Sequence, residues 1–133
     1  MQPADGRTAA EIRTAVVLSD KDREHLRQGM RLYLESTQGI VEALGDNKLA
    51  EVQSHARKAG MSATQNVPLW VAVTLTPEFV LLGIDTHQKF DDLAAAAGQR
   101  ASSREILKRL DEILLNCTAC HASFRLSPQQ RKG

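Results

Sequence analysis

A chain of 133 residues makes one domain, large enough to bury a core without staples. Its 17 Lys and Arg nearly cancel its 16 Asp and Glu, so a net charge of +1 gives no electrostatic reason to expect nucleic acid or a strongly acidic partner. Leu, Ala, Glu, Gln, Lys and Arg dominate over scattered Val, Ile and aromatic residues, which favours helix over strand, and no apolar run is long enough to span a bilayer.

Residues 1–18, with Pro3 and Gly6, read as a loose N-terminal arm whose Val16, Val17 and Leu18 lie against the body. Ser19 is the predicted N-cap of a first helix, with Asp20 and Asp22 in its first turn. Leu26, Met30, Tyr33, Thr37, Ile40 and Leu44 then recur at steps of four and three, the seam of a packed helix. Gly45 is expected to end it, with Asp46 capping the next helix. That shorter second helix buries Leu49, Val52, Ala56 and Ala59 and ends or kinks at Gly60. Residues 61–76 are the least legible stretch. Val67-Pro68 breaks the helical pattern, and Leu69 to Leu75 reads as a packed connection with room for one helical turn and Trp70 as a lid on the core. Thr76-Pro77 starts a third helix that turns Phe79, Leu82, Gly83, Thr86, Phe90, Leu93 and Ala97 inward and stops at Gly98. Ser102 and Glu105 form a capping box for a fourth, whose inward stripe runs Ile106, Leu110, Ile113, Cys117, Cys120, Phe124 and ends at Ser127-Pro128; the tail after it should fray. The expected architecture is all-α, an antiparallel up-down-up-down four-helix bundle spanning a single domain, 1–133.

Residues 117–121 read Cys-Thr-Ala-Cys-His, the C-x-x-C-H attachment signature of c-type haem. Two sulfurs add to the two vinyl groups of the porphyrin, and the adjacent imidazole takes the iron. On a helix Cys117, Cys120 and His121 fall at i, i+3 and i+4 and share one face. The chain's only two cysteines both lie inside the motif. The competing readings are a reversible dithiol, which wants a βαβ context, and half a structural zinc site, which wants a second Cys/His cluster; neither pattern occurs. One covalently bound haem c near the C-terminus is the expectation. Such attachment normally takes place outside the cytoplasm in bacteria. Residues 1–15 lack the apolar core of a signal peptide, so the chain is expected to be a periplasmic protein whose leader has been removed.

A haem motif on the last bundle helix, running on as Cys-His-Ala-Ser-Phe-Arg, resembles the class II c-type cytochromes, the group of cytochrome c-prime and its low-spin relatives. The similarity covers about Ser19 to Leu126; its specific part is Cys117, Cys120, His121, Phe124 and Arg125, with a looser match around Arg27, Gln28 and Met30. The resemblance implies His121 as the fifth iron ligand, Arg125 one turn later beside the haem, and Arg27 and Gln28 reaching the propionates. Residues 60–76 match poorly and inherit nothing. In the low-spin branch a methionine of the first helix closes the iron; in the high-spin branch an apolar side chain leaves it five-coordinate. Met30 aligns with the ligating methionine, against the plainer reading of core filler. His87, flanking the third helix's stripe, is the rival sixth ligand, and Met61 a weaker one; His25 and His55 lie among charged residues and are expected in solvent. Arg27 and Gln28 are as compatible with a solvated face, and Arg125 with pointing to water.

These readings imply a non-enzymatic monohaem electron carrier with redox partner proteins, its iron held by His121 and Met30. The alternative is a five-coordinate haem protein that binds nitric oxide or carbon monoxide. A peroxidase would need a polar distal acid–base group, which the first-helix seam lacks. A homodimer through the first two helices is a further expectation of the resemblance, although no clear exposed apolar patch can be read.

Overall fold

The computed structural model describes residues 9–65 and 67–130; the expected arm over 1–8, the Trp70 side chain as a lid, and the tail at 131–133 lie outside the described residues. A 3-10 turn over Ala9–Ile12 leads into a strand, β1 (Thr14–Leu18). Ser19 then accepts a hydrogen bond from the Asp22 N–H at 3.2 Å and opens α1 (Asp20–Gly45). Asn47 takes the left-handed backbone conformation that short amide side chains tolerate, and the chain reverses into α2 (Leu49–Lys58). The expected Asp46 cap is not used there. Asp46 closes α1 instead, and Lys48 precedes α2 without a side-chain cap.

The segment expected as a packed connection holds two short elements, a 3-10 turn over Met61–Thr64 and α3 (Leu69–Thr74), with Pro68 just outside the latter. Pro77 opens α4 (Pro77–Gly98), where its missing N–H costs nothing. Ser102 accepts from the Glu105 N–H at 3.1 Å and opens α5 (Ser103–Ser123).

One correction concerns the chain's two ends. α5 does not run on to Ser127; it stops at Ser123, and β2 (Phe124–Pro128) succeeds it. β2 pairs in parallel with β1, Thr14 opposite Phe124 and Leu18 opposite Pro128. The β-branched run of Thr14, Val16 and Val17 supplies a ladder that satisfies backbone groups a further helical turn would have taken. Val16 and Leu18 are buried and Val17 faces out, so the arm is a fixed strand over these residues.

Adjacent long helices run in opposite directions. Gly39 of α1 meets His55 of α2. Arg57 pairs with Asp91 at 2.9 Å while Gln53 approaches Gly98, so α2 and α4 are antiparallel. Asn116 donates to Asp85 at 2.7 Å, which does the same for α4 and α5. The chain is thus predominantly helical, with a two-stranded sheet among the described residues.

The core is dense at one end only. Ile40, Val52, Ala56, Phe90, Leu93, Ile106 and Ile113 are fully buried. Further along the same inward stripes Leu26, Met30, Tyr33, Phe79, Leu82, Cys117 and Cys120 are only half-buried. Phe90 stacks on Tyr33 with ring centroids 5.7 Å apart. Phe90→Ala should therefore cost about 3–5 kcal/mol, measured as a drop in the urea midpoint with little change in slope.

Candidate haem-attachment site

The last two turns of α5 carry the motif. Cys117 and Cys120 are free thiols, half-buried, and Cys117 packs against the buried core. Burial pushes both thiols above their ordinary range; for Cys120 the neighbouring Cys117 adds to it. Their place near the C-terminal end of α5 offers no positive helix dipole to stabilise a thiolate. That environment does not suit a reactive dithiol, which depends on a lowered thiol pKa.

His121 is exposed, one residue beyond Cys120. Its Nδ1–H donates to the Cys117 carbonyl at 2.7 Å. A carbonyl can only accept, so the proton sits on Nδ1 and Nε2 keeps its lone pair free. This is the arrangement by which a metal-binding histidine is held in one tautomer and orientation. The His121 carbonyl in turn accepts from Arg13 Nη1 at 3.2 Å, tying the end of α5 to the segment before β1.

Tyr33 of α1 lies within electrostatic reach of both sulfurs. Met30 stands one turn before Tyr33, about 4.5 Å along α1 toward its N-terminal end. Met30 shares an inward-facing sector with Leu26, Gly29 and Tyr33 and is half-buried. His87 has both ring nitrogens engaged: Nδ1–H donates to the Ala59 carbonyl at 2.7 Å, and Nε2 accepts from the Tyr33 hydroxyl at 2.8 Å. It offers no free lone pair to a metal. Met61 spends its N–H on Asp91 at 2.9 Å and sits half-buried in its turn. His55, expected in solvent, lies against the backbone of Gly39, and His25 is half-buried.

Arg27 and Gln28 are exposed on α1, with Arg27 close enough to Glu24 to help hold its carboxyl below the usual range, behind the larger effect of the Arg31 hydrogen bond. Arg125 is not on a helical turn after His121 but on β2, where the pleat sets its direction. Its Nε is buried without a hydrogen-bond partner, with a Glu11 carboxylate oxygen 3.9 Å away. A propionate would satisfy that nitrogen.

Sequence reasoning passed over Gly29. A helical glycine costs about 1 kcal/mol against alanine, so each needs a reason. Gly39 and Gly98 have one, since a methyl there would meet His55 or Gln53. Gly29 and Gly83, on the inward faces of α1 and α4, have open space where a Cβ would stand. Both are half-buried, Gly83 on the inward stripe of α4 and Gly29 beside the seam residue Met30. Gly29→Ala should raise the stability of the haem-free chain by about 0.8–1 kcal/mol. Gly39→Ala should lower it, because the His55 ring must move; paired thermal melts read both signs.

Among the described residues no three His, Cys, Asp or Glu side chains come together as a metal cluster. A haem iron asks the protein for at most two axial ligands, a demand the residues present could meet. The free thiols, the fixed tautomer of His121, the orphaned Arg125 Nε and the clearance at Gly29 and Gly83 all fit the same group. Two surface hollows occur, one away from the motif and one beside it. One of about 290 Å³ sits by the α4–α5 turn near Gln99 and Ala101. The other, of about 510 Å³, lies between α4 and α5 and is lined by Leu81, Leu82, Ala119 and Phe124. No protein-family model, curated protein or solved structure matches the chain.

Proposed function

We propose that this chain is a monohaem c-type cytochrome, an electron carrier and not an enzyme, built as a four-helix bundle of the cytochrome c-prime kind from α1, α2, α4 and α5. The observation that carries this reading is the C-x-x-C-H face of α5, on which the Nδ1–H of His121 is spent on the Cys117 carbonyl and Nε2 is left to bind. Cys117 and Cys120 would hold the haem by thioethers, His121 and Met30 would be its axial ligands, and Arg125 would meet a propionate. Arg27 and Gln28 are the weaker propionate partners, being exposed. When bound, the haem supplies one-electron redox chemistry at iron.

The chain's own contribution is placement. Cys117 and Cys120, one turn apart on α5, fix the macrocycle's edge. The hydrogen bond at Nδ1 aims the imidazole. The half-buried side chains of Leu26, Tyr33, Phe79 and Leu82 exclude water from the faces, which favours the less charged reduced state. Attachment of this kind places the protein in the periplasm, with protein redox partners. No described helix is long and apolar enough to cross a membrane.

The test is the protein matured in a host that attaches haem c. The expected product is coloured, heavier than its polypeptide, and low-spin when reduced. A colourless product of bare polypeptide mass would refute the proposal. The open space beside Gly29, next to Met30, favours one second reading, a five-coordinate haem that binds nitric oxide or carbon monoxide. A high-spin spectrum that shifts on adding carbon monoxide would select it.

A further inference from the structure

Burial holds the motif-bearing end of α5 far less firmly than its beginning. The buried side chains of α5, Ile106, Leu110 and Ile113, all lie before the motif. From Leu114 to Ser123 every residue is exposed or half-buried, although Cys117 still packs against the buried cluster. On the side of α4, the hollow of about 510 Å³ stands between the two helices, lined by Leu81, Leu82, Ala119 and Phe124. Apolar contact there leaves the rotation of α5 about its own axis weakly defined.

The fastening at this level is polar. Asn116, the residue before Cys117, turns its amide to α4: Nδ2 donates to Asp85 Oδ2 at 2.7 Å and to Thr86 Oγ1 at 3.3 Å. Its partners dictate which way the amide faces. The Asp85 carboxyl is held below its ordinary range, first by the Lys89 hydrogen bond and then by Asn116 itself, so it is an ionised acceptor. The Thr86 hydroxyl spends its hydrogen on the Leu82 carbonyl at 2.7 Å, so it too can only accept from Asn116. Both positions call for the NH2 side of the amide, and its two hydrogens serve one each. Thr86 is buried and Asn116 half-buried, which shelters the contact between them. Among the described residues these are the only side-chain hydrogen bonds between α4 and α5. A second fastening lies just past the helix, where Phe79 meets Phe124 edge-on with ring centroids 5.4 Å apart. Asp85 and Phe124 both line the hollow, one from each fastening.

We propose that Asn116 is a positioning residue for the haem: through Asp85 and Thr86 of α4 it fixes the rotation of the last two turns of α5, and with it the direction in which Cys117, Cys120 and His121 present the macrocycle to the bundle. The proposal rests on the haem reading above. Asn116 and Cys117 are neighbours on the helix, about 100° apart around its axis, so the amide and the first thiol turn together. With side chains reaching about 5–6 Å from the axis, a rotation of about 20° carries a side-chain tip by about 2 Å. A macrocycle tied to Cys117 and Cys120 would follow that rotation and change its attitude to α1, where Met30 stands. Asn116 itself touches neither haem nor iron; it acts through the backbone of the motif.

The experiment uses the haem-loaded protein and compares the wild type with Asn116→Asp, Asn116→Ala, and Asn116→Asp combined with Asp85→Asn. In Asn116→Asp two carboxylates face each other and the fastening opens. In the combined variant amide and carboxylate trade places, and a donor again meets an acceptor. The readouts are the circular dichroism of the Soret band and the NMR shifts of the haem methyls. Both report how the macrocycle sits in the folded chain, and both are taken well below the melting temperature. The expected result is haem retained by mass in every variant. The wild-type Soret dichroism should be lost or inverted in Asn116→Asp, weakened in Asn116→Ala and recovered in the combined variant, with the methyl shifts moving and returning in step. A lowered melting temperature with an unchanged Soret and methyl signature marks a merely structural residue and overturns the proposal. A change that the combined variant fails to reverse overturns it as well. Should Asn116→Asp fail to fold, Asn116→Ala, which adds no charge, decides by the same signature. Each of these failures leaves the cytochrome reading standing. A wild-type product of bare polypeptide mass removes both, so the mass tells the two failures apart.

Discussion

Cys117→Ser with Cys120→Ser will yield a chain whose mass is that of the polypeptide alone, about 14.6 kDa for the unsubstituted sequence. Either single substitution will leave one thioether and a haem still attached, with a shifted spectrum. Under the proposed attachment each thiol would supply one covalent link, so losing both would remove every covalent tether and leave only the coordination proposed for His121. The fold should tolerate the change, because both thiols are half-buried and outside the fully buried cluster. Circular dichroism of the double variant should show helix content close to that of the unloaded wild type. Intact-protein mass spectrometry under denaturing conditions reads the main result. A haem adduct surviving in the double variant would place the attachment elsewhere.

The second large effect is expected at Met30. Met30→Ala should turn a six-coordinate low-spin iron into a five-coordinate one that binds carbon monoxide, and should lower the reduction potential. A thioether stabilises reduced iron, so its loss favours the oxidised form. Met30→Leu is the control, since a volume-conserving swap typically costs less than about 1.5 kcal/mol of stability. If both variants change the spectrum alike while the fold holds, the sulfur was the ligand. If neither does, the sixth position belongs to another group. His87 would then have to surrender its bonds to Tyr33 and Ala59 to fill it.

Legibility in the amino-acid sequence depended on how local each signal was. Ser19, Ser102 and Pro77 each mark a helix start through contacts within one turn, and each was readable. The inward stripes were readable as well, because burial repeats with the helical period; Ile40, Phe90, Leu93, Ile106 and Ile113 are buried as the spacing requires. The strand pair was not. Val16 and Leu126 meet only because two distant segments come together, and five residues of strand propensity at a terminus read equally as loose chain. The expected run of α5 through Phe124 and Arg125 failed for the same reason, a tertiary pairing overriding local helical pattern. Residues 61–76 were ambiguous because proline and two short elements leave no window long enough to show a period. At the candidate site, the spacing of Cys117, Cys120 and His121 was the signal the letters carried. The tautomer of His121, the engagement of His87 and the clearance at Gly29 are facts of packing that no pattern of letters carries.

The pairing of β1 with β2 also constrains the order in which the molecule can assemble. The Arg13 guanidinium and the carbonyl it reaches are 108 positions apart along the backbone. Closing so long a loop is entropically unfavourable until the intervening helices have shortened the path. The clasp must therefore form late, after α1 to α5 have docked by their local turns. Trimming the leading strand would forfeit the ladder and the tie to α5, yet leave the buried cluster of Ile40, Phe90, Leu93 and Ile113 with its neighbours intact.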